Sequence, residues 1–416
     1  MNFEWFTVRR IIATGKHKGS VSAPIIKIAI AAIAAGMTIM LLSVATGFGL
    51  QEKIREKVMA FNGAVTLTHL ENQGQLEDVI AWELTSVTRE ELSTVDGVSH
   101  TQATAHKPGL IMTDQTFEGI VLKGVGPDYQ WSYLNEFLES GRWLDVEANM
   151  SNGIVLSRLL ADRMNLGVGS RLNTYFFDQN KVEEFGPSTK ARGFEVVGIY
   201  DSGFEEFDAQ MAFVDLRHIQ RLNRWPDGAI GRLEVFPDPG VDVPDLARTL
   251  YDLAPLSIDA VSMHQAFYHI FEWLALFDFN IYLIIIIMVV VATINMVTAL
   301  IVLILERTSM IGLFQSMGTG NWRIQKIFLL QAGYIILWGL FWGNLFGLGL
   351  IWAQDTWELI NLDPKTYYVT QAPVYLPFLY WGLLNLGTLI LCLLFLLLPS
   401  YLVAKISPVS AMRFDG

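Results

Sequence analysis

The sequence has a single cysteine among 416 residues, Cys392, so no disulfide can form within the chain. Charged residues make up 17 % of the chain, below the ~25 % that is usual for soluble proteins. The formal net charge of −12 disfavours nucleic acid as a partner. Apolar residues, in contrast, reach 52 % and are gathered in long blocks. This distribution indicates an integral membrane protein.

Four of the apolar blocks are long enough to cross a hydrocarbon core of about 30 Å, which takes about 20 helical residues. Their centres avoid Asp, Lys and Arg, each of which costs about 2.5–3.5 kcal/mol in the middle of an inserted helix. A large apolar core of a soluble protein is disfavoured, because the second block is almost unbroken Ile, Leu, Met and Val. We expect transmembrane helices at residues 25–48, 279–305, 327–352 and 376–403.

The short segments between these spans predict the orientation of the chain. Segments 1–24, 306–326 and 404–416 carry Lys and Arg, which places them in the cytosol. The loop 353–375 is acidic and belongs outside, together with the large segment 49–278. We therefore expect an α-helical membrane protein with both termini cytosolic and with a large α+β extracytoplasmic domain, including stalk helices, inserted between helices 1 and 2.

The first span imitates a secretory signal, because basic residues and an apolar stretch precede Ser43-Val44-Ala45. We expect no cleavage there, since the apolar stretch exceeds the usual ~7–15 residues. Leu50, Ile54 and Val58 also continue at helical spacing, as if the helix simply leaves the membrane. The aromatic and basic residues before the span fit either a short interfacial helix or a disordered tail.

The segment 49–278 mixes strand and helix patterns. Strands are predicted at Gly153–Leu156, Arg171–Phe177, Phe194–Tyr200 and Met211–Val214. Helices are predicted after Ser157, after Asp215, around Leu92, at Leu246–Leu253 and at Met263–Trp273, the last leading directly into the second span. Ser157 and Asp215 are the predicted N-caps of their helices, and the first of these helices should end near Gly167. Thr88 and Glu91 have the spacing of a capping box.

The polar residues form no catalytic or metal-binding pattern. A Gly-rich phosphate loop is missing from the sequence, and the histidines lack metal-site spacing, so we expect no enzymatic activity and no cofactor. The acidic cluster Glu205, Glu206 and Asp208 fits a solvated turn better than a cation site. Asn295 and Asn344 fit hydrogen bonds between helices better than substrate ligands.

Small residues repeat at every fourth position on two of the predicted spans. Gly339, Gly343 and Gly347 form such a ridge on the third span, and Ala32 and Gly36 form another on the first. These ridges allow a neighbouring helix to approach closely, which predicts packing and assigns no chemistry.

The segment Glu306–Gly318, which reads ERTSMIGLFQSMG, is charged at its start and amphipathic afterwards. It resembles the segment after the second span of the FtsX-like permease superfamily, which reads close to ERTxEIGLLRALG and docks as a short helix on a cytosolic ATPase. Met310 and Gln315 stand where the family usually has Glu and Arg. The residues that the resemblance assigns to ATPase coupling are Glu306, Arg307, Met310, Ile311, Gly312, Leu313, Phe314, Met317 and Gly318.

Further stretches look like lipoprotein-releasing ABC permeases: Gly153–Leu172, Val197–Val214, the opening Phe-x-x-Arg-Arg, and Pro408 to Arg413 near the end. The resemblance implies a non-catalytic, multi-pass permease subunit of the bacterial inner membrane. Such a subunit extracts lipoproteins from the outer leaflet of that membrane and passes them to a periplasmic carrier. The implied partners are a cytosolic ABC ATPase dimer, a second permease subunit that is identical or a paralogue, the lipoprotein cargo and membrane lipids.

In this interpretation the acyl chains of the cargo are sheltered between the first and second spans. Candidate lining residues are Met37, Met40, Leu41, Val44 and Phe48, although core packing explains each of them taken singly.

In the family, a loop between two strands hands cargo to the carrier. The corresponding stretch is Asp178–Arg192, with Phe185, Pro187 and Arg192 as candidate carrier contacts. The alternative function is a mechanotransmission permease of the same superfamily, which controls cell-wall hydrolases or drives small-molecule efflux. An enzyme or receptor without an ATPase is disfavoured by the coupling segment.

Overall fold

The structure, a computed structural model, describes residues 22–113, 116–147, 149–183 and 186–400. The chain forms two compact units. The helical unit comprises the described parts of Met1–Glu52, Leu274–Asn361 and Gln371–Gly416, and the α+β unit comprises those of Lys53–Trp273 and Leu362–Thr370. The N-terminal interfacial segment, the opening Phe-x-x-Arg-Arg, the ending Pro408 to Arg413 and Phe185 lie outside the described residues.

The elements are numbered along the chain. The helices are α1 (Ser22–Asn62), α2 (Ser86–Ser93), α3 (Arg158–Met164), α4 (Glu205–Asp208), α5 (Leu216–Asn223), α6 (Val243–Leu253), α7 (Met263–Ala266), α8 (Tyr268–Glu306), α9 (Thr308–Ser316), α10 (Asn321–Trp357), α11 (Pro364–Tyr367) and α12 (Phe378–Ser400). The strands are β1 (Val65–His69), β2 (Trp82–Glu83), β3 (Val98–Met112), β4 (Phe117–Val125), β5 (Leu138–Gly141), β6 (Gly153–Ser157), β7 (Arg171–Glu183), β8 (Gly186–Tyr200), β9 (Met211–Asp215), β10 (Ala229–Ile230), β11 (Arg232–Pro237) and β12 (Ile258–Ser262).

Four described helices, α1, α8, α10 and α12, are long and apolar enough to cross a membrane. They lie where the sequence predicts spans, and three of them run well past the predicted boundaries. Helix α1 continues to Asn62, as the spacing of Leu50, Ile54 and Val58 predicts. Helix α10 begins at Asn321, and the predicted end of the fourth span at residue 403 lies outside the described part of the chain.

The core of the helical unit contains residues of α1, α8, α10 and α12. Met37, Met296, Ile336 and Cys392 are each 0 % exposed within it. Cys392 Sγ lies 4.0 Å from Thr293 Oγ1, a weak polar contact in otherwise apolar surroundings. Close packing of apolar side chains is therefore the main interaction that holds these helices together.

A ten-stranded mixed sheet organises the α+β unit, in the order β12-β1-β11-β3-β4-β9-β6-β8-β5, with β7 paired to β3 and β8. The pairs β4–β9 and β6–β8 are parallel, and the remaining pairs of this sheet are antiparallel. Strands β2 and β10 form a separate two-stranded sheet. This arrangement agrees with the predicted α+β class.

Two helix starts in this unit follow the predicted capping chemistry. The Leu160 N–H donates to Ser157 Oγ at 3.1 Å, and the Arg217 N–H donates to Asp215 Oδ1 at 2.9 Å. Each side chain satisfies an N–H that has no partner within its helix, so both predicted N-caps are confirmed.

Three other predictions about helices need correction. Helix α3 ends at Met164, three residues before Gly167, because its C-cap Asn165 is left-handed with a φ of 52°. Helix α2 begins at Ser86, so Thr88 lies inside the helix and does not cap it. The predicted helix through 263–273 is interrupted at Phe267, where φ is −116° and ψ is 40°.

Candidate functional site

The glycine ridge of α10 lies directly against α1. A Cβ added at Gly339 would lie 2.6 Å from Ile33 Cγ2, one at Gly343 would lie 2.6 Å from Met37 Cβ, and one at Gly347 would lie 2.8 Å from Leu41 Cδ1. The two helices also share a hydrogen bond, since Thr38 Oγ1 donates to the Gly343 carbonyl at 3.2 Å. The absence of side chains on the ridge therefore determines how closely α1 and α10 approach each other.

Of the five candidate lipid-cavity residues, Met37, Met40 and Leu41 belong to the buried core of the helical unit. Met37, Met40, Leu41 and Val44 are at most 2 % exposed. Phe48 is half-buried, and its ring centroid lies 4.4 Å from that of Tyr380 on α12. In this arrangement Met37 and Leu41 face the glycine ridge of α10, and Phe48 faces α12.

The coupling segment forms the short helix α9. Arg307 separates α8 from α9, because its φ of −110° is not helical. Gly318 follows α9 with a φ of 83°. Ile311 and Gly312 are buried, and Met310 and Phe314 pack against the same core.

The opposite side of this segment is apolar and exposed. Leu313 is 56 % exposed, and Met317, one helical turn later, is 74 % exposed. Glu306, at the end of α8, is exposed as well. One side of the segment is therefore held by the helical unit, and the other presents two large apolar side chains.

The stretch Asp178–Arg192, expected to be a loop, is mostly a β-hairpin. Strands β7 and β8 pair antiparallel from Arg171↔Glu195 to Glu183↔Gly186, with one irregularity between Phe177 and Val182. Pro187 lies on β8 opposite Val182, and exposed Arg192 lies opposite Thr174. The loop prediction is wrong for most of this stretch, because β7 extends to Glu183 and β8 begins at Gly186.

The acidic cluster Glu205, Glu206 and Asp208 contains one buried carboxylate. Asp208 accepts hydrogen bonds from Ser202 Oγ at 2.7 Å and from the Phe204 N–H at 3.2 Å. Burial raises the pKa of Asp208 from its ordinary value of 3.8 to about 6, although the bonds from Ser202 lower it. Among the described residues, no group of three His, Cys, Asp or Glu side chains is arranged to hold a metal ion.

The predicted helix-bridging asparagine, Asn344, lies between α10 and α12. Its Nδ2 donates to Asn385 Oδ1 at 2.6 Å, and its Oδ1 accepts from Trp381 Nε1 at 2.7 Å. Because these polar atoms satisfy one another, the cluster links two apolar helices without leaving a group that needs a ligand.

Comparison with known proteins identifies families for both parts of the chain. Residues 28–252 match the MacB-like periplasmic core domain, and residues 282–408 match the FtsX-like permease C-terminal domain. The chain is 22 % identical to the lipoprotein-releasing system transmembrane protein LolC of Neisseria meningitidis over 99 % of both chains. It is 21 % identical to LolC of Xylella fastidiosa over 92 % of both chains and 21 % identical to LolE of Haemophilus influenzae over 96 % of both.

Similar solved structures include the periplasmic region of MacB from Actinobacillus actinomycetemcomitans, with a TM-score of 0.35 and 13 % identity over 51 % of this chain and 95 % of that one. The extracellular domain of the ABC-type transporter YknZ from Gram-positive bacteria has a TM-score of 0.32 and 14 % identity over 48 % of this chain and 99 % of that one.

The match to the MacB-like domain covers more than half of the chain, and the match to the permease domain covers α9, α10 and most of α8. With its four apolar helices, the chain belongs to the MacB-like periplasmic core domain family and is an ABC transporter permease of the FtsX-like superfamily.

Proposed function

We propose that this permease extracts lipoproteins from the outer leaflet of the bacterial inner membrane and passes them to a periplasmic carrier. The observation that carries the proposal is the exposure of two large apolar side chains, Leu313 on α9 and Met317 at its end. In this proposal the two side chains dock on a separate cytosolic ATPase. The similarity to proteins named LolC and LolE over nearly the whole chain supports lipoprotein as the cargo.

The energetics explain why such a permease needs an ATPase. Each buried CH₂ group contributes about 0.8 kcal/mol, so one acyl chain of about 14 methylenes costs about 11 kcal/mol to transfer into water. A sheltered path lowers this cost, and ATP binding and hydrolysis in the partner supply work for the cycle.

In the proposed topology both termini and α9 are cytosolic, and the α+β unit is periplasmic. The basic segments 1–24, 306–326 and 404–416 and the acidic loop 353–375 support this orientation. A second permease subunit, identical or a paralogue, completes the acyl-chain path. Separation of α1 from its neighbours in the transport cycle would allow Met37, Met40, Leu41, Val44 and Phe48 to meet the acyl chains.

The distal part of the β7–β8 hairpin is the proposed carrier contact, through Phe185, Pro187 or Arg192. To test it, each residue is changed to alanine in the full-length chain, and capture of the periplasmic carrier is measured. Arg171→Ala is the matched control, because Arg171 has an 86 % exposed side chain at the base of the same hairpin. The three changes should weaken capture where the control does not, and equal capture by all variants would contradict this role.

The alternative is mechanotransmission to cell-wall hydrolases or small-molecule efflux. It is supported by the MacB-like match over residues 28–252, which by its description is not specific to lipoprotein release. Cargo distinguishes the two functions.

The deciding experiment is mass spectrometry of the proteins that co-purify with the tagged chain after gentle extraction from its native membrane. An ATPase together with acylated lipoproteins supports lipoprotein release. An ATPase together with a wall hydrolase or an outer-membrane duct supports the alternative, and the absence of an ATPase contradicts both.

The double variant Leu313→Asp, Met317→Asp should lose the ATPase from this preparation. The control is Leu256→Asp, because Leu256 is fully exposed on the α+β unit. This control variant should retain the ATPase. An ATPase that remains with the double variant would contradict docking through α9.

A further inference from the structure

The stretch between α10 and α12 includes a segment that folds as part of the α+β unit. This segment, Leu362–Thr370, is called the clasp below. Its ends are joined, because the Leu362 N–H donates to the Thr370 carbonyl at 2.9 Å, and Asn361 and Gln371 form an antiparallel bridge immediately outside it. The clasp is therefore a closed loop that begins and ends at one point.

Tyr368 anchors the clasp through its ring. The ring stacks on Phe204 with centroids 4.6 Å apart and meets the edge of Trp273 at 5.6 Å. The next residue, Val369, is 3 % exposed. Aromatic pairs of this kind stabilise a contact beyond the area that they bury, so the tip of the clasp is held in a specific socket.

The main chain of Tyr368 is held as well. Lys57, on α1, donates from its ammonium to the Tyr368 carbonyl at 3.2 Å and to the Ser202 carbonyl. Lys57 is 5 % exposed, and its Nζ lies 5.7 Å from the centre of the Phe137 ring. A buried ammonium needs acceptors, so withdrawal of the clasp would leave Lys57 with one fewer.

The backbone of Tyr368 is strained. Its φ is 60°, in the left-handed region that bulky residues rarely adopt. Such a conformation is unfavourable for a residue with a side chain and persists only where the surroundings require it. The ring and carbonyl contacts of Tyr368 must therefore outweigh this strain, which a loosely attached surface loop would release.

We propose that the clasp transmits movement of α10 and α12 to the α+β unit during transport. This inference rests on the proposed permease function. The covalent chain leads from α10 into the clasp and from the clasp to α12, so a displacement of either helix reaches the α+β unit through Tyr368 and its partners. Two of the partners of Tyr368, Lys57 and Trp273, belong to the parts of α1 and α8 that lie in the α+β unit, so a displacement that reaches Tyr368 reaches these helix ends as well as Phe204.

The attachment is tested by hydrogen–deuterium exchange of the full-length protein in lipid nanodiscs. Tyr368→Ala should raise amide exchange about tenfold in two segments, the clasp itself and residues 202–204, which lie far apart in the sequence. Tyr368→Phe retains the ring, and Tyr375→Ala removes an exposed tyrosine outside the clasp. Both controls should match the unmodified chain, and unchanged exchange at 202–204 in Tyr368→Ala would overturn the attachment.

Transmission is tested in proteoliposomes that contain the complete complex with its ATPase and a labelled triacylated lipoprotein. Tyr368→Ala should hydrolyse ATP within twofold of the unmodified complex and release lipoprotein at least tenfold more slowly. Release at the unmodified rate would overturn the transmission role. If the unmodified complex released no lipoprotein, the proposed function itself would fail, and the exchange measurement would still decide the attachment.

Discussion

Lys123 Nζ lies 2.6 Å from Glu234 Oε1, and both side chains are at most 1 % exposed. Lys123 also donates to the carbonyl of Phe61, one residue before the end of α1. Glu234 accepts from Gln102 Nε2 at 2.8 Å and from Thr104 Oγ1 at 3.2 Å. The ion pair thus joins strands β3, β4 and β11 to the last turn of α1.

Removal of one member of this pair should be strongly destabilising. Lys123→Met leaves Glu234 as a buried, uncompensated charge, which typically costs about 3–5 kcal/mol. The free energy of unfolding is measured with urea for the full-length protein in detergent micelles.

The control for the buried pair is Lys53→Met, which breaks an exposed pair with Glu136 and should cost under about 1 kcal/mol. The double variant Lys123→Met, Glu234→Gln should recover part of the loss. A single Lys123→Met change as mild as the control would show that the buried charge pair is not needed for stability.

The glycine ridge predicts a position-specific packing effect. Gly343→Val should destabilise the helical unit by about 1–3 kcal/mol, because a Cβ there meets Met37 Cβ at 2.6 Å and the Ala34 carbonyl at 2.8 Å. Gly349→Val, on the same helix, is the control, because a Cβ added at Gly349 meets no atom within 4 Å. Thermal unfolding in micelles checks the prediction, and equal melting temperatures would contradict it.

The asparagine pair of α10 and α12 should show coupled energetics. Asn344→Leu leaves the Trp381 indole N–H and the Asn385 amide without their partner, at a cost of about 0.6–1.7 kcal/mol. The double variant Asn344→Leu, Asn385→Leu should lose less free energy of unfolding than the two single variants lose in total. A double-mutant cycle from thermal unfolding checks this, and strict additivity would show that the two residues are not coupled.

Asp208 predicts a pH dependence of stability. Its pKa is 3.8 in ordinary surroundings and about 6 in the folded chain, so between these pH values the folded state binds more protons than the unfolded state. Stability from this group is therefore fully present below about pH 4 and is lost as the pH rises through 6. Melting temperatures measured from pH 4 to 7 should fall less steeply for Asp208→Asn than for the unmodified chain.

The matched control for Asp208 is Asp201→Asn, whose carboxyl is 42 % exposed and whose removal should leave most of the pH slope in place. A slope unchanged by Asp208→Asn would mean that another group is responsible for it.

Sequence patterns were most informative where one residue type determines the local structure. Long apolar blocks predict the four helices, and Ser157 and Asp215 predict helix starts because their oxygens accept bonds from backbone N–H groups two or three residues away. Strands at Arg171–Phe177 and Phe194–Tyr200 were predicted, but the continuation of β7 and β8 through most of 178–192 was missed because it depends on pairing between strands. The distal part of this hairpin contains Gly186 and Pro187, which locally favour a turn.

The clasp could not be predicted from the local sequence either. The acidic character of 353–375 indicates only an exposed loop, and a left-handed tyrosine at position 368 contradicts its intrinsic preference. Its position depends on Phe204, Trp273 and Lys57, which are about 100 to 300 residues away in the sequence. One signal was available, since two adjacent tyrosines, Tyr367 and Tyr368, are unusual in a short polar loop.

The burial of Cys392 makes the natural chain suitable for spectroscopic labelling. As the sole thiol of the sequence it is 0 % exposed, between α8 and α12, so maleimide and nitroxide reagents should leave it largely unmodified in the folded protein. A pair of cysteines introduced at exposed positions, for example at Arg171 and Leu256, would then carry two spin labels with little background. Distances between the β7–β8 hairpin and the rest of the α+β unit could be followed through nucleotide addition in a chain that is otherwise unaltered.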